Sequence, residues 1–269
     1  MNQASDDTRA GFDVPHSQST GRRLIALRAL WCHRRSWRLP AGRTALRNER
    51  DVEITELMPF VLLSAALSGA GLFVLLPLTL GSQAALVVQQ VWPWITVFVA
   101  PWACATLMAW LSAPNLALRL SAFSATGTPH DKPDVISAQA ASHCVPVLLA
   151  HAVVATAATA LLLLFTLVLG LAFNLMLHAG DLGDLASIAF TATTPMQWMQ
   201  VWCHGAILGF AGMLGTVLYA WPGTQSVKKG LDAHRLGLRA TLASMLASSC
   251  TTTLLLSFHM FLTAGHRIY

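Results

Sequence analysis

The sequence predicts an all-α, polytopic membrane fold of about five transmembrane helices, preceded by an interfacial amphipathic helix, with the N-terminus cytoplasmic. Three observations predict it. Of the 269 residues, 55% are hydrophobic and 11% charged, less than half of the roughly 25% charge usual in a soluble domain. Four stretches contain no Asp, Glu, Lys or Arg: Leu57–Leu118, Val135–Gly180, Leu185–Val227 and Ala240–His266. Each can hold at least one span, and the first can hold two, since a helix needs about 20 apolar residues to cross hydrocarbon. The third observation is where the basic residues fall, and it becomes legible once the elements are placed in order.

Residues 1–20 are polar and lack apolar periodicity, which predicts a disordered tail. Residues 21–56 form an Arg/Trp-rich interfacial helix and connector. Leu24, Leu27 and Trp31 share one helical face there, among Arg22, Arg23 and further arginines, with Trp37 following. Arg22, Arg23, Trp31 and Trp37 are the candidate membrane-interface residues, with rings at headgroup depth and guanidinium groups on phosphates. The alternative is a basic tail that only fixes orientation.

A membrane domain over 57–263 follows. Its first span is Leu57 to about Leu80, with Pro59 and Pro77 toward the ends, where a missing backbone hydrogen bond costs least. The second runs from about Val87 to Leu111, and a polar loop over 112–141 separates it from a third within His143–Leu177. That third stretch is longer than a span needs and must tilt or extend beyond the bilayer. A fourth span begins at Pro195 and reaches about Trp221. A basic loop over 223–239 leads to a fifth at about Ala240–Thr263.

With the N-terminus inside, sixteen of the seventeen basic residues lie in cytoplasmic segments and only Arg267 lies outside. The positive-inside rule predicts this segregation. It also accounts for the net charge of +5 without nucleic acid, because the basic residues flank spans and do not line one solvated face.

The motifs of catalysis are missing. There is no GxSxG, no paired carboxylates, no HExxH and no phosphate-binding GxxxxGK[ST], so the expectation is a chain that is not an enzyme and needs no cofactor or metal. Five scattered cysteines read as small buried hydrophobes. No charged residue lies within the spans, so only His151, His204, His259 and, at an edge, His143 are available for ion handling; interhelical packing is their default role. Small residues recur at Ser68-Gly-Ala-Gly71 and at Gly205, Gly209, Gly212 and Gly215. They favour close helix contact, either within the chain or between two copies.

The order of elements, with Ser68-Gly69 in the first span, Val91-Trp-Pro93, Ala100-Pro-Trp-Ala-Cys-Ala-Thr-Leu107, Arg119-Leu-Ser-Ala-Phe123 and the Gln197–Ser244 region, resembles the MlaE family. These are permease subunits of ABC transporters that work with MCE-domain proteins on lipids. The resemblance covers roughly Gly21 to Phe261 and is that of a diverged member, since Gln89 and Gln90 stand where the family carries Arg-Glu. It implies a bacterial inner-membrane permease that moves phospholipids or related amphiphiles. The implied partners are a separate ABC ATPase, an MCE-domain protein, membrane lipids and a second permease copy or paralogue. It further implies a lipid cavity near Leu76, Gln89 and Gln90, and an ATPase-coupling segment at Arg119, Leu120 and Phe123. The alternatives are a non-transporting scaffold or assembly subunit, and an unrelated secondary transporter or channel.

Overall fold

Proline and glycine punctuate the chain. The structure, a computed structural model, describes residues 16–126, 133–177, 187, 191, 194–221 and 230–265. Helix α1 spans His16–Cys32, so the tail expected over 1–20 is already helical from His16, and residues 1–15 lie outside the described residues. A 3-10 turn, Ser36–Arg38, leads to α2 at Pro40–Ala70. Pro40 sits in the first turn, where its fixed φ suits a helix and its missing N–H would have had no partner. The connector expected up to residue 56 is therefore the opening of the first long helix.

A π turn at Gly71–Leu75 and a short α3 at Leu76–Leu80 continue that rod. Gly81 then takes φ 56°, a left-handed conformation that glycine adopts without a Cβ penalty, and starts a 3-10 turn through Gln83. Helix α4 (Ala84–Trp94), a π turn at Ile95–Val99 and α5 (Ala100–Thr126) form the return rod. The reversal is measurable: the rings of Phe73 and Trp92 are 6.1 Å apart, whereas 19 residues of straight helix would separate them by about 28 Å.

Helix α6 (Pro133–Leu177), α7 (Pro195–Ala220) and α8 (Gly230–Gly265) complete the described elements. Thr194 and Gln197 cap α7 reciprocally: the Thr194 Oγ1 accepts from the Gln197 backbone N–H at 3.3 Å, and Gln197 Oε1 accepts from the Thr194 N–H at 2.7 Å.

Four helical segments are long and apolar enough to cross a membrane: Pro40–Ala122, Val135–Leu177, Pro195–Ala220 and Ala233–Phe261. The first of them, at 83 residues, contains the reversal at Gly81. Large apolar side chains cover their outer faces, among them Leu63, Leu67, Leu164, Leu246 and Leu254. Such a surface suits lipid and not water.

Contacts between the rods fix their directions. α2 runs parallel to α6, because Glu53 meets His151, Gly69 meets Gly170 and Phe73 meets Asn174. α6 and α7 are antiparallel, with Gly205 over Thr156 and Gly209 over His151. α7 and α8 are antiparallel, with Gly212 against Ser248 and Thr216 Oγ1 donating to Ala240 O. α5 and α8 are antiparallel as well, with Trp102 Nε1 donating to Ser249 Oγ and Pro114 lying under Gly237.

Two buried clusters result. One lies along the middle of the rods, through Val61, Phe73, Val88, Trp92, Cys104 and Leu163. The other joins Ala26 and Leu30 of α1 to Leu116 and Leu120 of α5, Ala140, Ala141 and Cys144 of α6, Val217 of α7 and Leu236 of α8. This second cluster corrects the loop expected over 112–141. The segment is helix up to Thr126 and again from Pro133, because its apolar residues recur at helical spacing and bury one another. Likewise α8 begins at Gly230, inside the loop expected over 223–239.

The stripe of glycines on α7 is used inside the chain. A Cβ on Gly209 would lie 2.5 Å from Ala155 Cβ, and one on Gly215 2.8 Å from Ala243 O. Of the two readings of that stripe, packing within one copy is the one observed.

Candidate functional site

Helix α1 packs one side against the bundle and leaves the other uncovered. Ala26 and Leu30 face the bundle, while Leu24, Ile25, Leu27 and Trp31 face away from it, Trp31 being 68% exposed. The Arg34 guanidinium lies 4.4 Å from the centre of the Trp31 ring, and that of Arg38 lies 5.4 Å from Trp37. Arg23 is exposed. Arg22 lies in the helix, with its side chain outside the described residues. The result is an outward apolar strip flanked by guanidinium groups over tryptophan rings.

The candidate coupling residues are placed differently from one another. Arg119 pairs with Glu49 of α2, so it ties α5 to the start of the first rod. Leu120 is fully buried in the cluster that holds α1. Phe123 lies in α5, with its side chain outside the described residues. Of the cavity candidates, Leu76 is half-buried against the middle cluster, whereas Gln89 and Gln90 are exposed on α4.

The interior holds polar contacts between rods, made by His151 and His204 of the charge-free stretches together with Asn174 and Glu53. Pro77 has no N–H, so the carbonyl four residues before it, Phe73 O, loses its ordinary helical donor. The chain responds with a π turn over Gly71–Leu75, and Asn174 Nδ2 of α6 donates to Phe73 O at 2.5 Å. The same arrangement recurs one rod later. Pro101 orphans Val97 O, a π turn spans Ile95–Val99, and His204 of α7 places Nδ1 2.7 Å from that oxygen. Because a carbonyl only accepts, His204 Nδ1 carries the hydrogen. His204 also belongs to an aromatic cluster: its ring lies 5.2 Å from Phe98, which lies 5.5 Å from His259 and 5.7 Å from Trp94.

Glu53 and His151 form a further internal polar contact, between α2 and α6. Glu53 Oε1 and His151 Nδ1 are 2.9 Å apart, with the two side chains only 5% and 3% exposed. His151 Nδ1 is also 2.9 Å from Val147 O. Among the described residues, Glu53 Oε2 and His151 Nε2 have no hydrogen-bond partner. The sequence did carry a signal for Glu53. The buried residues of α2 are Glu53, Leu57, Val61, Ala65 and Gly69, a four-residue recurrence that continues the apolar stripe backwards into the charged segment. Its charge puts Glu53 just outside the charge-free stretch that begins at Leu57; periodicity assigns it to the interior.

Among the described residues, no three His, Cys, Asp or Glu side chains gather as a metal site. Taken together, the four long apolar helical segments, their apolar outer faces and the buried polar contacts between rods define a multi-pass α-helical membrane protein. No family model, no curated protein and no solved structure matches the chain.

Proposed function

We propose that the chain is the permease subunit of an MlaE-type ABC transporter in a bacterial inner membrane, moving phospholipids or related amphiphiles between that membrane and an MCE-domain protein. In this reading the rods make five spans, with the N-terminus inside and the C-terminus outside. ATP is hydrolysed on a separate ATPase chain, and a second permease, either a copy or a paralogue, completes the transporter. The loss of charge at Gln89 and Gln90 favours a paralogue as that second half.

The observation that carries the reading is the buried platform where α5 and α6 end and begin. α1, α5, α6, α7 and α8 meet there around Leu120, and Arg119 reaches Glu49 on α2. A partner pressing on the ends of α5 and α6 would turn them as rigid levers, and the spans would follow because packed helices move as bodies. Affinity purification of the tagged protein in mild detergent tests this. Co-purification of an ABC ATPase and an MCE-domain protein supports the reading, and recovery of the chain alone, with its fold intact, overturns it.

A second reading, a secondary transporter independent of ATP, is favoured by one observation: Glu53 and His151 are ionisable and buried between rods. Transport that persists without any ATPase would install it. A scaffold would bind the ATPase without stimulating lipid movement.

A further inference from the structure

We propose that Glu53 and His151 are a proton-binding site, whose single exchangeable proton locks α2 to α6. The inference holds whichever transport reading stands.

Geometry fixes one hydrogen first. His151 Nδ1 lies 2.9 Å from Val147 O, which can only accept, so Nδ1 bears a hydrogen and directs it between that carbonyl and Glu53 Oε1. With no further proton, the pair is a neutral imidazole beside a carboxylate, and a full negative charge is buried. One proton more makes the pair neutral overall, either on Nε2, giving imidazolium and carboxylate, or on Oε2, giving imidazole and carboxylic acid. Both of those atoms are buried and have no partner among the described residues. An uncompensated buried charge is far more costly than a neutral pair that lacks one hydrogen bond. The closed arrangement therefore belongs to the state holding the extra proton.

Among the described residues Glu53 forms no ion pair with an arginine or lysine, so that proton is what neutralises the site. On α2, Glu49 and Glu56 flank Glu53, and both add negative charge. Arg119 on α5 is engaged by Glu49. On α6, His143 stands two turns before His151 and faces Glu49 and Arg119. Arg38, in the 3-10 turn packed against α2 and α6, is exposed over Trp37. From α7 the residue over His151 is Gly209, which does not titrate and whose added Cβ would lie 2.8 Å from His151 O.

When the proton leaves to water, the carboxylate must be hydrated, and its free oxygen is out of reach of solvent while α2 and α6 are closed on the pair. Release and separation of the two helices near Glu53 are thus one event. The pair sits in the part of the α2–α6 contact nearer the start of both helices, and beyond it Ser36 Oγ, just before α2, donates to Ser142 O of α6 at 3.4 Å. The Gly69–Gly170 crossing and the Asn174–Phe73 bond hold the other end together. A local separation at Glu53, between these held points, follows.

The test uses the full-length protein in lipid nanodiscs, comparing wild type with Glu53→Gln. Glutamine keeps the size and an acceptor for the Nδ1 hydrogen and removes the charge. Melting temperature is followed from about pH 6 to about pH 9, where a state that holds one more proton folded than unfolded loses up to about tenfold in its folding constant per pH unit. All other titrating groups are common to both proteins, so their difference reports the pair. The expected result is a wild-type melting temperature that falls relative to Glu53→Gln as pH rises. Backbone deuterium exchange around residues 147–155 should rise with pH in wild type beyond the intrinsic rate and remain flat in the variant. A difference independent of pH overturns the proposal and leaves the pair a structural hydrogen bond. Should Glu53→Gln fail to fold, exchange in the wild type decides: no pH-dependent excess at 147–155 overturns it.

Discussion

Replacing Asn174 by leucine tests whether a proline in one rod is answered by a polar side chain in another. Asn174 is fully buried and donates to Phe73 O, the carbonyl whose helical donor would be residue 77, a proline. Removing the amide leaves that carbonyl bare, at a cost of about 1–3 kcal/mol. The loss is offset in part because Asn174 Oδ1 has no partner of its own among the described residues, and leucine removes that buried acceptor too. Side-chain hydrogen bonds between membrane helices average about 0.6 kcal/mol and reach about 1.7. Asn174→Leu, close in volume, should therefore cost about 1 kcal/mol.

The discriminating step is the second mutation. Pro77→Ala restores an N–H four residues after Phe73, so Asn174→Leu in that background should cost almost nothing. The coupling energy of the double-mutant cycle, from reversible unfolding in bicelles, should be about 1 kcal/mol. An equal cost in both backgrounds, within about 0.4 kcal/mol, would refute the compensation argument, because independent sites add to within that margin.

The same logic applies to His204→Leu, which should lose about 1 kcal/mol with Pro101 present and recover it with Pro101→Ala, read by the same unfolding cycle. Gly69→Ala should destabilise by about 1–3 kcal/mol, because the new Cβ would lie 2.7 Å from Thr166 O and 2.8 Å from Gly170 N. Gly71→Ala, two residues on, meets nothing within 4 Å and should be neutral or stabilising by up to about 1 kcal/mol, so melting temperatures of the two variants should move apart. Arg119→Ala should change stability by less than about 1 kcal/mol, since both members of its pair with Glu49 keep some solvent contact; any larger effect on ATP-driven transport would then report coupling. Cys32 is exposed on α1. In a variant retaining only that cysteine, a membrane-impermeant maleimide should label it in inverted vesicles and not in intact spheroplasts; the reverse pattern would overturn the orientation.

Charge and hydropathy alone determined the broad architecture. The charge-free stretches mark where a chain can lie in lipid, and lipid forces each such stretch to satisfy its own backbone, which only a helix does there. Leu24, Leu27 and Trp31 likewise announced an outward apolar strip, because helical periodicity is a local property. The polar interior was not legible in the same way. Gly69 and Gly71 look alike in the sequence, and only the position of Gly170 distinguishes them. Asn174 and Phe73 are 101 residues apart, and their pairing depends on how α6 lies against α2. Ser112–Ala141 looked like a connector because it is more polar than the spans, yet Leu116, Leu120, Ala140 and Cys144 make it a second core once α1 covers them. Glu53 followed its charge in the sequence and its periodicity in the fold. The sequence by itself determined which segments are long and apolar enough to lie in lipid, since transfer from water depends on composition along the chain. Which polar groups meet one another was decided only by the tertiary structure, because each buried donor or acceptor depends on a partner supplied by a distant helix.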